Sequence, residues 1–348
     1  MKYNHYSRLI LMGLLKMYMA LGAVSAPYIP SYDDRYEEDM GQARGNKNYF
    51  IEPADGLNYA HYRYVGAHAA EKYKRFFPQY ALQDQPIPGL LFTGVRGLMI
   101  STYDWALSWS SIIRDGVSVV CSHPAKDSIV FRKNGKPLHQ TLHYEMNRIF
   151  NFLKSNPKAV ITIFFDDNAD MGKMLRDLKE IIMKNDYDPI LKPSDWPAAQ
   201  QKSEWPTLGW MRSNNKRLVL FTQIYDEHSI FTWPVSSHFW ENMSGTLDST
   251  IACGYETRSA REGNKIMRTL VSFGCYGNMS VAPNIKQCLD YDVIKNVTLT
   301  CQKKNFAGGK LFNSYWADYI ISTVNALVKE NRKTLFDYVN ELNVQPRK

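Results

Sequence analysis

No Gly-x-Gly-x-x-Gly fingerprint and no phosphate loop follows any apolar run of this 348-residue chain, which counts against a nucleotide-binding enzyme. Basic clusters, zinc-ligand spacings and aromatic RNA-binding motifs are equally missing, so nucleic acid is discounted as a partner. No internal repeat is visible, and beyond about residue 50 no long linker divides the chain, so a single domain is expected. No apolar stretch reaches the roughly 20 residues that a spanning helix needs. Cysteine is scarce at five. Four of them, Cys253, Cys275, Cys288 and Cys301, crowd the C-terminal half and form an even set able to make two disulfides, leaving Cys121 over. Their pairing cannot be read from spacing.

What is present fits a packed protein. Hydrophobic residues make up 45% and charged ones 22%, enough for a core and against disorder. Aromatics at 13% suit such a core and carbohydrate or lipid-headgroup contacts alike. The first 26 residues read as a signal peptide: Lys2 and Arg8 open it, Leu9 to Leu15 is apolar, and Ala23-Val24-Ser25 offers a cleavage site before Ala26. An uncleaved N-terminal membrane anchor is the alternative. Three sequons agree with export to a secreted, extracellular location, at Asn242, Asn278 and Asn296. Residues 27–50 are polar, with Asp33, Asp34, Glu37, Glu38 and Asp39 close together, and read as a flexible extension ahead of a domain over 51–348. The formal net charge is +8, and removing residues 1–25 takes away Lys2, Arg8 and Lys16 and no acid, leaving +5. That excess favours approach to anionic membrane surfaces.

Short β-rich runs that are apolar on both faces, as in buried parallel strands, occur at Val95–Ile100, Val117–Val120, Ala159–Phe165 and Arg217–Thr222. Helical patterns lie between them. Leu142, Met146, Ile149, Phe150 and Leu153 share a face that ends at Asn156-Pro157, and Leu175, Leu178, Ile181 and Ile182 mark another. This alternation predicts an α/β fold with a parallel sheet, and by itself leaves a closed barrel and an open doubly wound sheet unseparated.

Chemistry concentrates where such strands finish. His68 ends Tyr64-Val65-Gly66-Ala67, His123 follows Val119-Val120-Cys121-Ser122, and Asp166 and Asp167 follow Val160 to Phe165. In a parallel barrel these positions converge on one pocket, and imidazoles titrating near neutral pH suit acid–base work there. The plainer alternatives are hydrogen-bonded structural histidines and, for the aspartates, a helix cap.

An ordered set of motifs resembles the phospholipase-C-like phosphodiesterases, the group holding phosphatidylinositol-specific phospholipase C catalytic domains, of the secreted microbial and invertebrate type. It comprises Gly66-Ala67-His68, Gln85-Pro86-Ile87, Gly94-Val95-Arg96-Gly97-Leu98-Met99, His123, and Phe152-Leu153 with Asn156-Pro157 before Val160-Ile161-Thr162-Ile163. Then come Trp205-Pro206-Thr207-Leu208, Arg217 to Thr222, Trp240-Glu241-Asn242, Cys253 to Arg258 and Asn313 to Asp318, so residues from about 60 to 343 are covered. The resemblance implies a TIM-type (β/α) barrel, irregular or complete, and cleavage of an inositol phospholipid or related headgroup. It also implies roles: His68 as general base on the inositol 2-hydroxyl, His123 as general acid to the leaving oxygen, and Asp166 as the family's acid on its strand. Asp318 would orient His68, with a cap for the following helix as its alternative. Arg96 could contact phosphate or make a structural ion pair, and Asp104 is retained downstream as a further substrate-binding candidate. The chain departs from the pattern at Ala69, where the family has Asn or Asp, and at Ser101, where it has an acid or an arginine. Ca²⁺ takes about six to eight oxygens, so the ligand set looks incomplete, with Asp166 the one metal candidate. The phospholipid headgroup or a membrane surface is the expected partner. A catalytically weakened binding protein on the same fold is the alternative function. A glycerophosphodiesterase or sphingomyelinase-D-like enzyme is a third, disfavoured because no Glu stands beside the early histidine.

Overall fold

The computed structural model describes residues 46–71, 81–105, 117–120, 132–133, 136–137, 142–168, 171–196, 205–223, 230–242, 270–275, 286–304 and 313–344. Residues 1–45, which hold the expected signal peptide and most of the expected extension, together with His123, Cys121, Cys253 and the Asn278 sequon, lie outside them.

The strands are β1 (Tyr64–Ala67), β2 (Gly97–Trp105), β3 (Val117–Val120), β4 (Arg132–Lys133), β5 (Lys136–Pro137), β6 (Ile161–Asn168), β7 (Leu218–Thr222), β8 (Trp233–Pro234), β9 (Phe239–Asn242), β10 (Leu270–Cys275) and β11 (Ser314–Ala317). Eight of them run parallel in the order β8-β7-β6-β2-β1-β11-β10-β9. From β1 the chain order is followed outward in both directions, with no central reversal. That is the order of a barrel cut once, whereas a doubly wound sheet reverses about its first strand. Among the described residues no ladder joins β8 to β9, so the ring is an irregular barrel open at one seam.

Burial explains the strands. β1, β7 and β11 are buried along their whole length, as parallel strands covered by helices must be. The helix Leu142–Ser155 buries the face read from its periodicity, and Met171–Asn185 sets Leu178 and Ile181 into the same core. Helix Ile87–Thr93 carries a proline in its first turn and stops at Gly94, whose φ of +112° only glycine adopts readily. Two expectations change. Val117–Val120 pairs antiparallel with β2, Thr102 opposite Val120 and Trp105 opposite Val117, so it is a hairpin arm on the barrel and no part of the ring. Residues 46–50, expected in the flexible extension, are packed: the Tyr49 amide donates to Thr93, Asn340 donates to Tyr49, and Phe50 is buried against Tyr62.

The interior is an aromatic plug. Tyr59, Tyr62 and Tyr64 line it, with the Tyr59 hydroxyl 2.6 Å from Thr162 Oγ1 and Tyr62 donating to the Val160 carbonyl. Burial lifts the hydroxyls of all three, that of Tyr64 to about 12, so they stay neutral. Above them Trp316 meets Tyr64 and Phe164 edge to face, and Phe164 stacks on Phe221. Trp233 belongs to the same packing, its indole donating to Leu191.

Candidate active site

β1 and β11 lie side by side, in register from Tyr64 opposite Ser314 to Ala67 opposite Ala317. The next residue of each strand is then His68 and Asp318, so the ladder itself delivers an imidazole and a carboxylate to one point at the strands' C-terminal ends. The His68 amide donates to the Ala317 carbonyl at 3.1 Å, the last backbone bond between the two strands. Both strands then turn sharply: Ala69 has φ +44° and Tyr319 φ +47°. The left-handed conformation is several-fold commoner for Asn and Asp than for other non-glycine residues, so an amide or acid in the position of Ala69 suits the turn as well as any ligand role.

His68 Nδ1 lies 2.9 Å from Asp318 Oδ1, with the imidazole about a quarter exposed and the carboxylate buried at 1%. A carboxylate at Nδ1 holds the proton there and sets the ring's orientation, which places the lone pair on Nε2. An oriented imidazole at the mouth of a parallel barrel is the arrangement a general base requires. Asp318 is therefore no helix cap. The N-cap position of Ile320–Lys329 is Tyr319, and that end is served by Asp84, whose Oδ2 accepts from the Ser322 amide and hydroxyl.

β2 and β6 run on together, with Ser101 opposite Asp166 and Thr102 opposite Asp167. Asp166 and Asp167 thus belong to a strand that ends at Asn168, ahead of the helix beginning at Met171, and not to that helix's cap. Asp104 lies in β2 opposite Ser118 on the hairpin. His123 falls outside the described residues, three positions past the end of β3, which returns the chain to the level of Thr102.

A family model described as PI-PLC X 1 matches residues 132–281. The middle of the chain is thus similar to the PI-PLC X family. The matched span begins after His68 and His123 and ends before Asp318, so it rests on the middle of the chain. Similar solved structures include a variant of the phosphatidylinositol-specific phospholipase C from Staphylococcus aureus, at 12% identity over 88% of this chain and 99% of that one, with a TM-score of 0.51. The phosphatidylinositol-specific phospholipase C from Listeria monocytogenes is 13% identical over 83% and 98%, with a TM-score of 0.49. A calcium-dependent phosphoinositol-specific phospholipase C from Pseudomonas sp is 12% identical over 80% and 96%, with a TM-score of 0.42. At such identities the likeness is one of fold, and the S. aureus comparison carries it. No curated protein matches the chain.

The structure also bears on Arg96 and on the residues near a possible cation. Arg96 precedes the first residue of β2, at the opposite end of the barrel from His68. Its guanidinium is buried and fully occupied, donating to Glu52 and to the Leu91 and Val95 carbonyls, with Phe50 and Phe152 against it. It is a structural ion pair and no phosphate ligand. Replacing Arg96 by Met is expected to cost about 2–3 kcal/mol, since it strands Glu52 and two carbonyls, with kcat and KM of the folded protein unchanged. Urea unfolding beside steady-state kinetics checks both halves. As for Ca²⁺, no group of three His, Cys, Asp or Glu among the described residues is arranged to hold a metal. Ala69 supplies no oxygen from its side chain, and Ser101 offers a buried neutral hydroxyl.

Sequence reasoning passed over two buried polar residues close by. Gln83 and Glu71 are both fully buried. Neither sits at a strand end or on a periodic face, so only the tertiary structure brings them to notice.

Proposed function

We propose that the chain is an exported phosphodiesterase that cleaves an inositol phospholipid or related headgroup, with His68 as general base and His123 as general acid. The observation that carries the reading is the His68–Asp318 pair at the ends of adjacent parallel strands. In the proposed reaction His68 Nε2 removes the proton of the inositol 2-hydroxyl and that oxygen attacks phosphorus. The bond to the diacylglycerol oxygen breaks as His123 protonates it, leaving a cyclic inositol phosphate. Positioned proton transfer of this kind supplies about a hundred- to ten-thousand-fold. Asp166, in register with Ser101 across the same rim, remains a candidate for the site, as does Asp104 on the hairpin. The chain's net positive charge supports approach to an anionic bilayer. Export is supported by the basic and apolar first 26 residues, by the exposed Asn296 of the third sequon, and by the even set of cysteines in the C-terminal half. No helix among the described residues is long and apolar enough to cross a membrane.

Ala69 and Ser101 favour a second reading, a binding protein of the same fold that holds phosphorylated headgroups without turning them over. Phosphatidylinositol vesicles given to the purified mature chain decide between the two, in Ca²⁺ and in chelator, with products followed by phosphorus NMR. Cyclic inositol phosphate is the expected product. Vesicle binding that never yields phosphate product would replace the enzyme with the binder.

A further inference from the structure

We infer that Gln83 is a positioning residue, a side-chain clamp that holds His68 and Asp318 in the geometry needed for catalysis. This rests on the proposed function and names a part of the site that the motifs left out.

The need for a clamp arises from the ladder. In a parallel pair each strand's carbonyls are taken up by the next turn of the ladder. Here the ladder stops because Ala69 and Tyr319 both turn into the left-handed region directly after the site residues. The His68 carbonyl therefore loses its successor partner at the point where the two strands must stay together. Gln83 fills the place. Its Nε2 donates to the His68 carbonyl at 2.8 Å and to the Ala317 carbonyl at 3.0 Å. The Ala317 carbonyl also accepts from the His68 amide, so a closed ring of three bonds links His68, Ala317 and Gln83. The amide's orientation follows from its partners: reversed, it would set Oε1 against two carbonyl oxygens.

The flanking chain is laced to the same strand end. Tyr319 donates its amide to the Leu82 carbonyl at 2.7 Å and its hydroxyl to the Ala81 carbonyl, while Asp84 accepts from Ser322. Residues 81–84 thus run along the turn after Asp318, and Gln83 reaches from there across to β1. Such a bridge fixes the separation between two neighbouring strand ends, and hence the His68–Asp318 distance. It touches no reacting atom, and acts through the orientation of the imidazole.

The test uses Gln83→Met, which keeps length and burial and removes the donors, and Gln83→Glu, which replaces them with acceptors. For each, kcat and KM on phosphatidylinositol vesicles are measured, and the His68 tautomer is read from its ring nitrogen shifts by NMR. The expected result is a fall in kcat of about ten- to a hundred-fold with KM nearly unchanged, as for a small misplacement of a catalytic group. The proton should sit on Nδ1 in the wild type and spread over both nitrogens in the variants. A wild-type tautomer and kcat in either folded variant overturns the clamp, and so does loss of the fold in both, which would make Gln83 a purely structural residue. Should the wild type turn over no substrate, the enzyme reading falls while the tautomer still decides the clamp.

Discussion

Asn in place of Asp318 is expected to lower turnover on phosphatidylinositol by about ten-thousand-fold, the size of the loss when an orienting carboxylate is made an amide in a comparable triad. The reason lies in hydrogen-bond polarity. Asp318 accepts at Oδ1 from His68 Nδ1 and is almost wholly buried, so it has no alternative means of orienting the ring. An amide nitrogen turned to that position would donate, force the proton to Nε2, and remove the lone pair that must take the hydroxyl proton. His68→Ala should fall at least as far, and the two changes together no further than the worse alone, because the residues act as one unit. Thermal unfolding should move little for D318N, whereas H68A takes a partner from the buried Asp318 carboxylate and should lower the midpoint by a few degrees. Turnover of D318N within tenfold of wild type would mean that the pair is a structural hydrogen bond and that His68 is no base.

A second large effect is expected from adding a single methyl group. An ideal Cβ on Gly66 would meet Trp316 Cε3 at 2.3 Å and Cζ3 at 2.6 Å, closer than real carbons approach. The indole cannot retreat, because Tyr64 and Phe164 meet it edge to face and its far edge lies over Gly97. Gly66→Ala should therefore destabilise the protein by about 3 kcal/mol or more, at the upper end of overpacking costs, read as a shift in the urea midpoint. Shortening the indole with Trp316→Leu in the same chain should recover part of that loss, since the two residues compete for one volume. Each is two residues from a member of the His68–Asp318 pair, so the strain should also depress turnover in G66A. A wild-type midpoint for G66A would show that the plug is loosely packed.

How much of this could be read in the sequence varies with how local each signal is. Helix Leu142–Ser155 and the strands over Ile161–Asn168 and Leu218–Thr222 declare themselves by burial periodicity over a few residues. The direction of Val117–Val120 does not, because four apolar residues look alike in a parallel or an antiparallel pair. Its direction follows from the connection: residues 106–116 are fewer than the dozen or more that a crossover takes, so the chain folds back as a hairpin. β8 and β9, short strands rich in aromatic and polar residues, carry no alternation of useful length. The barrel itself became legible through the resemblance and not through periodicity. His68 was conspicuous as a strand-end histidine, whereas its link to Asp318 spans 250 positions and exists only because β1 and β11 are neighbours in the ring. Arg96 is ambiguous for a related reason. The sequence leaves a phosphate contact and a structural ion pair both open, and only the structure sets it at the foot of β2 with its donors already taken.

The gap between β8 and β9 has a consequence for how such a wall can vary. In a fully closed ladder, changing one strand's length or stagger obliges every other strand to shift, because strand number, tilt and shear are tied together. Here the four-residue helix Val235–His238 bridges two strands that share no ladder among the described residues. A longer or shorter crossing at that point can be absorbed locally, and Pro234, which has no amide to offer, does no harm on an edge. Side chains near the slit can accordingly diverge under selection for what they meet outside the protein, while the opposite wall, where β1 and β11 meet, has no such latitude.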